Sequence, residues 1–483
     1  MAAFKYNKII DEVVTAIEQG QLTGKLISVR ALAKQKQLGV STVVQAYHEL
    51  ERLGWIVAKP KRGYFVNSSA KAPQPNYGRQ IRRVLAGLSL DKAVQYSFND
   101  DDILPLSCTA PSTVIDPELL LNRLHKKALA KRPYKLWMQD PIEGVAEFRQ
   151  AICQHLAGYN QQFHFDQVLI TNGRQEGLLL ALTAAQALNQ PIAIESPMSF
   201  YFQTMLKQLN AEVVEIPMQA SYRDELALLS DAFDSQAFAT YVVNPNFSDP
   251  TGRVLSSEEK QLLIEWAEQR GVTLIEYDRG ELYFGDERPM TIASLVNKQS
   301  SCRVICIADF YDTISPAISL GYLLCVNSFD ECQFAKQTMA EEPSIVLQYM
   351  LQEMMLSGCY QKHLSQLRSV TKQNYSAAMA ILRPKLASIN SEQFYISQPA
   401  GGPCIWFQLP THLSSQALWH KVIANKLSIA PGSMFTLDER YDNFFRITFA
   451  LPWSESMVEG ISLLAEIITE FVAEGREGKA IEH

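Results

Sequence analysis

Residues 25–66 read KLISVRALAKQKQLGVSTVVQAYHELERLGWIVAKPKRGYFV. Ser28 is placed to cap a helix that runs to about Gln37, because its hydroxyl can take up a backbone N–H left free at the first turn. Leu38 and Gly39 make a short turn. A second helix is expected from Ser41 to Leu53, capped by Ser41 or Thr42, with Val44, Tyr47, Leu50 and Leu53 on one face. Gly54 stops it. Two short β-type runs then flank Lys59-Pro60-Lys61-Arg62-Gly63, a hairpin with a basic tip. Just upstream, Ile9, Ile10, Val13, Val14 and Ile17 recur at helical spacing up to Gly20. Helix, helix, tight turn, helix and basic hairpin make a winged helix-turn-helix over residues 1–66.

The third helix has the length to enter a major groove, where its exposed side offers Ser41, Thr42, Gln45 and His48 to base edges. Lys59, Lys61 and Arg62 on the wing, and Arg30 at the start of the second helix, are the candidate phosphate contacts. The bland alternative is a three-helix protein-contact domain with a solvated basic hairpin.

Charge separates the two readings. The 483 residues carry a net charge of −7, which taken alone argues against a polyanion partner. Residues 1–83 hold 14 Lys and Arg against 5 Asp and Glu, a net of +9, and the remaining 400 a net of −16. A basic head on an acidic body fits a head that meets double-stranded DNA. At 47% hydrophobic and 20% charged residues, disorder and fibrous classes are excluded. Eight cysteines without a C-x-x-C pair, several in apolar runs, read as reduced core residues of a cytoplasmic protein. The N-terminus lacks the apolar stretch of a signal peptide, and no run suits a membrane span. The eight histidines show no zinc spacing, so no metal site is expected.

Residues 67–104 begin with the Ser-, Ala- and Pro-rich NSSAKAPQPN and read as a linker. From 105 to 483, helical stretches alternate with the apolar runs VLIT (168–171), IAIE (192–195), VVEIP (213–217), TYVVN (240–244), VTLIEY (272–277) and VICIA (304–308). That alternation predicts an α/β domain with a mixed, mainly parallel sheet. CIWFQLP (404–410) and FFRITFA (444–450) are assigned to a small C-terminal α+β lobe from about residue 360.

The head resembles the DNA-binding domain of GntR-type bacterial regulators. It carries their S-x-R-x-L-A pattern from Ser28, T-V-x-x-A-Y from Thr42, L-E-x-x-G from Leu50 and G-x-F-V from Gly63. It departs from them at Gly39-Val40, where the family commonly has Ser-Arg. The body resembles fold type I aminotransferases, which depend on pyridoxal phosphate. The landmarks are ITNGRQEG (170–177), ESP (195–197), NPNFSDPTG (244–252), IEYDRGELY (275–283), ADFYDTISPAISLGY (308–322), PAGGPCIW (399–406) and FRITFA (445–450). The two together look like the MocR subgroup of GntR-type regulators. Such bodies generally dimerise, so the resemblance implies a homodimer with two heads for two half-sites and an amino-acid- or vitamer-like effector.

The resemblance also shows what has changed. Where the family has its Schiff-base lysine this chain has Asp312, and a carboxylate cannot form an aldimine. The phosphate-binding Ser/Thr is Asp309 and the phosphate-binding Arg is Ser319. Two like charges about 4 Å apart cost about 4 kcal/mol at an effective dielectric of 20, so a dianionic phosphate is disfavoured. Tyr277 replaces the acid at the pyridine nitrogen, Arg279 the tyrosine at the ring hydroxyl, Asp249 an asparagine and Ser199 the stacking aromatic. Arg446 keeps the position that binds a substrate carboxylate, and is either a ligand contact or a structural ion pair. Asp309, Asp312 and Asp249 are expected to pair with Arg174 and Arg279, or to face a cationic or zwitterionic ligand. The expected function is a DNA-binding regulator with a catalytically inactive body. The alternative is a pyridoxal-phosphate aminotransferase or a regulator sensing that cofactor without a covalent bond.

Overall fold

The computed structural model describes residues 5–18, 21–36, 38–52, 55–59, 62–67, 89–100, 102–131, 141–389, 394–438 and 440–481. The chain divides into two compact units, Met1–Gly87 and Leu88–His483.

In the first unit, helices α1 (Lys5–Glu18), α2 (Val29–Lys36) and α3 (Val40–Arg52) precede an antiparallel hairpin, β1 (Ile56–Lys59) and β2 (Gly63–Val66), in register from Ile56↔Val66 to Lys59↔Gly63. Ser28 caps α2 as its position suggests, its Oγ accepting the Ala31 N–H at 3.3 Å. The start of α3 corrects the expected cap. The Thr42 and Val43 amides both donate to the Gly39 carbonyl, so the helix begins at Val40, ahead of Ser41 and Thr42. Its buried face is Val43, Ala46, Tyr47 and Leu50, with Val44 half-buried and Leu53 outside the described residues. These side chains close on Ile9, Ile17, Leu26, Leu32 and Ile56. The Tyr47 hydroxyl donates to the Ile27 carbonyl at 2.8 Å, and its ring meets Tyr64 edge-on at 5.1 Å. The contact pins α3 to the segment before α2 and to the wing.

The second unit begins earlier than the linker boundary read at 104. A helix spans Leu90–Tyr96, and residues 104–106 add to the small lobe: the Leu104 amide donates to the Lys426 carbonyl, and Ser428 and Thr448 amides donate to Leu104 and Leu106 carbonyls. Strands β3 (Val168–Thr171), β4 (Ile192–Ser196), β5 (Val213–Pro217), β6 (Thr240–Asn246), β7 (Thr273–Asp278), β8 (Val304–Asp309) and β9 (Gly321–Val326) form a seven-stranded sheet in the order β3-β9-β8-β7-β6-β4-β5. Only β9 runs against its neighbours. β3, β4, β6 and β7 are buried end to end, because helices cover both faces as a parallel sheet requires. The small lobe follows the long helix Cys359–Leu386 and holds an antiparallel sheet of β10 (Tyr395–Ile396), β11 (Cys404–Gln408), β12 (Ala430–Pro431) and β13 (Phe444–Thr448). The eight cysteines are free. Among the described residues no helix is long and apolar enough to cross a membrane, and no cluster of metal-ligating side chains occurs.

Candidate functional site

On the head, Arg30, His48, Lys59 and Arg62 are exposed and Thr42 is half-buried. The Ser41 and Gln45 side chains, and Lys61, lie outside the described residues. Lys59 Nζ stands 4.8 Å from the Phe65 ring centroid across the hairpin, which holds its charge at the wing surface. Gly63 closes the wing tip at φ +93°, a conformation that side-chain-bearing residues rarely adopt.

In the body, the expected pocket residues converge where parallel strands end, the usual place for ligands in α/β sheets. β7 delivers Tyr277 and leads into Arg279. β8 delivers Asp309 and leads into Asp312. The loop after β6 carries Asp249, and the helix Gly173–Ala184 opens with Arg174. Asp312 Oδ2 accepts from Arg279 Nε at 2.9 Å and lies 2.8 Å from its Nη2. Arg174 Nη1 reaches Asp309 Oδ2 and Tyr277 Oη, both at 3.4 Å, and stands 3.8 Å from Asp312 Oδ1. Its guanidinium lies between two rings, 4.3 Å from Tyr311 and 4.9 Å from Tyr201.

Asp249 departs from the expected pairing with Arg174 or Arg279. Its Oδ1 accepts from Arg446 Nη1 at 2.6 Å and its Oδ2 from the Ser199 hydroxyl at 3.0 Å. Arg446 comes from β13 in the small sheet and also donates to the Ser107 carbonyl at 2.5 Å. The reason is reach: the loop after β6 turns Asp249 toward the small lobe. Arg446 therefore meets an internal carboxylate, the ion-pair alternative of its two readings. Ser319 is exposed on the rim of a cleft of about 230 Å³ that Asn172, Arg174, Gln175, Tyr201, Asp309 and Tyr311 also line.

The electrostatics follow from this pairing. Burial raises the Asp309 carboxyl and neighbouring Asp312 adds to it, while Arg174 pulls the other way. Burial also works against ionised Asp249, but Arg446 and Arg279 outweigh it and hold that carboxyl below its ordinary range. Burial drives the Tyr277 hydroxyl well up, with Asp309 adding to it, so it stays a neutral donor. The three carboxylates and three guanidiniums balance in charge. The Tyr201–Arg174–Tyr311 stack was not foreseen from sequence. The adjacency of Tyr201 to Ser199 and Phe200, and of Tyr311 to Asp309, is the signal that was available.

The aminotransferase class I and II model matches residues 125–462, and the model for bacterial regulatory proteins of the gntR family matches residues 5–66. YjiR of Escherichia coli, an uncharacterized HTH-type transcriptional regulator, is 25% identical over 470 residues, covering 96% of this chain and 98% of its own. NorG of Staphylococcus aureus, also an HTH-type transcriptional regulator, is 23% identical over 444 residues, covering 90% and 97%. Among solved structures, the multiple substrate aminotransferase of Thermococcus profundus superposes with a TM-score of 0.70 at 18% identity, covering 80% of this chain and 96% of that one. An archaeal alanine:glyoxylate aminotransferase gives 0.70 at 20% identity, covering 80% and 95%. The likeness to these structures concerns the fold. The chain belongs to the aminotransferase class I and II family and carries a GntR-type head on that body, the MocR-type organisation.

Proposed function

We propose that this chain is a cytoplasmic, homodimeric, DNA-binding transcriptional regulator whose body senses a ligand and does not catalyse transamination. The DNA-binding half is supported by the gntR match over residues 5–66 on a head that exposes Arg30, His48, Lys59 and Arg62. Full-length relatives named as transcriptional regulators support the same reading. Two body subunits set the spacing of two heads on paired half-sites.

The observation that carries the non-catalytic half is the Asp312–Arg279 pair at 2.8 Å, at the position where the aminotransferase pattern has its lysine. Pyridoxal phosphate does not fit the side chains present. The void between Tyr277, Arg279, Asp312 and Tyr360 is about 20 Å³, room for about one water. Arg174 occupies the aromatic slot beside it, and a phosphate brought to Asp309 meets a carboxylate already paired with Arg174, with Ser319 where the pattern has its arginine. These features support the non-catalytic reading over the aminotransferase and cofactor-sensing alternatives.

Footprinting of the protein's own upstream region tests the regulator reading. Protection of two half-sites is expected, and its absence at low salt overturns that reading. Borohydride reduction after adding pyridoxal phosphate tests the second half. No reducible aldimine band is expected, and a stoichiometric one overturns it.

A further inference from the structure

Arg174 is held differently from the other arginines of its cluster. The closest contacts of Arg279 and Arg446 to carboxylates are 2.8 and 2.6 Å. Among the described residues the polar contacts of Arg174 are made by Nη1, at 3.4, 3.4 and 3.8 Å, and its guanidinium lies over the faces of Tyr201 and Tyr311. Asp312 Oδ1, on a side chain 7% exposed, has no hydrogen-bond partner among the described residues and faces Arg174 Nη1. A buried carboxylate oxygen without a donor is costly to keep, so the box is an incompletely satisfied cation site. The cleft of about 230 Å³ opens beside it.

We propose that this box and cleft form the effector site of the regulator reading above, on which the proposal rests. Its ligand is a small organic cation, a guanidinium or primary ammonium compound, whose head group takes the place of the Arg174 side chain. Exchange follows from charge. A second cation beside Arg174 and Arg279 would outnumber Asp309 and Asp312, whereas one cation replacing another keeps the cluster neutral. The ammonium or guanidinium supplies the donor that Asp312 Oδ1 lacks and stacks between Tyr201 and Tyr311. Arg174 swings into the cleft, carrying the change to the first turn of the helix Gly173–Ala184.

The test is calorimetric titration of the full chain with methylguanidinium and n-butylammonium, against n-butanol and inorganic phosphate. Binding of either cation and of neither control is expected. Arg174→Ala removes the competing internal cation, so methylguanidinium should bind about tenfold tighter. Asp309→Asn should lose most of that affinity, and Glu466→Gln, an exposed carboxylate outside the box, keeps it if the box is the site. Phosphate binding in place of the cations, or an Arg174→Ala variant that folds and binds methylguanidinium no tighter, overturns the site. Gel shifts on the same preparations separate the two readings. Intact DNA binding without cation binding sinks the effector site alone, and absent DNA binding sinks the regulator reading.

Discussion

Removing the carboxylate of Asp249 leaves the Arg446 guanidinium buried without its anion. Breaking one side of a buried pair typically costs about 3–5 kcal/mol, so Asp249→Ala should lower the urea midpoint strongly. Asp249→Leu combined with Arg446→Met should be more stable than that single variant, since no orphan charge remains. A double variant no better than the single would show that the pair contributes little. Glu195 carries a second prediction. It ends β4 in the core, accepting the Asn244 N–H at 2.8 Å and the Ser248 hydroxyl at 3.1 Å. Burial pushes its carboxyl up to about 7, Glu225 adding to the rise and Arg253 opposing it. The folded chain thus keeps a proton that an unfolded carboxyl, at about 4.3, releases. Its contribution favours the fold at low pH and is lost as pH rises from about 4.3 through about 7. Unfolding free energies measured from pH 5 to 8 should fall less steeply in Glu195→Gln, and an unchanged slope would refute the assignment.

At the scale of elements, the wing is the part with a direct functional readout. Lys59, Lys61 and Arg62 changed together to Ala should weaken DNA binding and flatten its salt dependence. Each lost phosphate contact removes about 0.9 from the log–log slope, so a change of about 2 to 3 is expected in a gel-shift salt series. The elements themselves were largely legible from sequence. VLIT, IAIE and VVEIP became β3, β4 and β5 almost to the residue, because strands covered on both faces, as β3 and β4 are, read as near-continuous apolar runs, and the half-buried edge strand β5 departs from one at Glu215. β10 and β12, two residues each, were not legible, since so short a strand is made by its neighbours and not by its own pattern. The start of α3 moved because Gly39 offers its carbonyl to two amides, which outweighs the side-chain preference of Ser41 or Thr42. In the site, Asp309, Asp312, Arg174 and Arg279, aligned by register against the aminotransferase landmarks, lie side by side. The Asp249–Arg446 pair spans 197 residues and two sheets, and the stack on Arg174 depends on side-chain direction. Neither quantity is written in a local pattern.

At the scale of the molecule, the net charge of −7 averages two units with opposite roles. The head carries the sign suited to DNA, while the body carries an excess of acid. The Arg446 guanidinium has a further consequence for how the body opens. It joins Ser107 and Asp249 to β13, and residues 104–106 are hydrogen-bonded along the small lobe beside it. Three stretches far apart in sequence thus share one fastening. Their amide protons should exchange with solvent as one cooperative unit rather than by separate fraying. In Arg446→Met, hydrogen–deuterium exchange should quicken together at residues 104–108 and in β11 and β13, while β7 and β8 stay protected. Acceleration confined to β13 would mean that the lead-in segment is anchored by its backbone bonds alone.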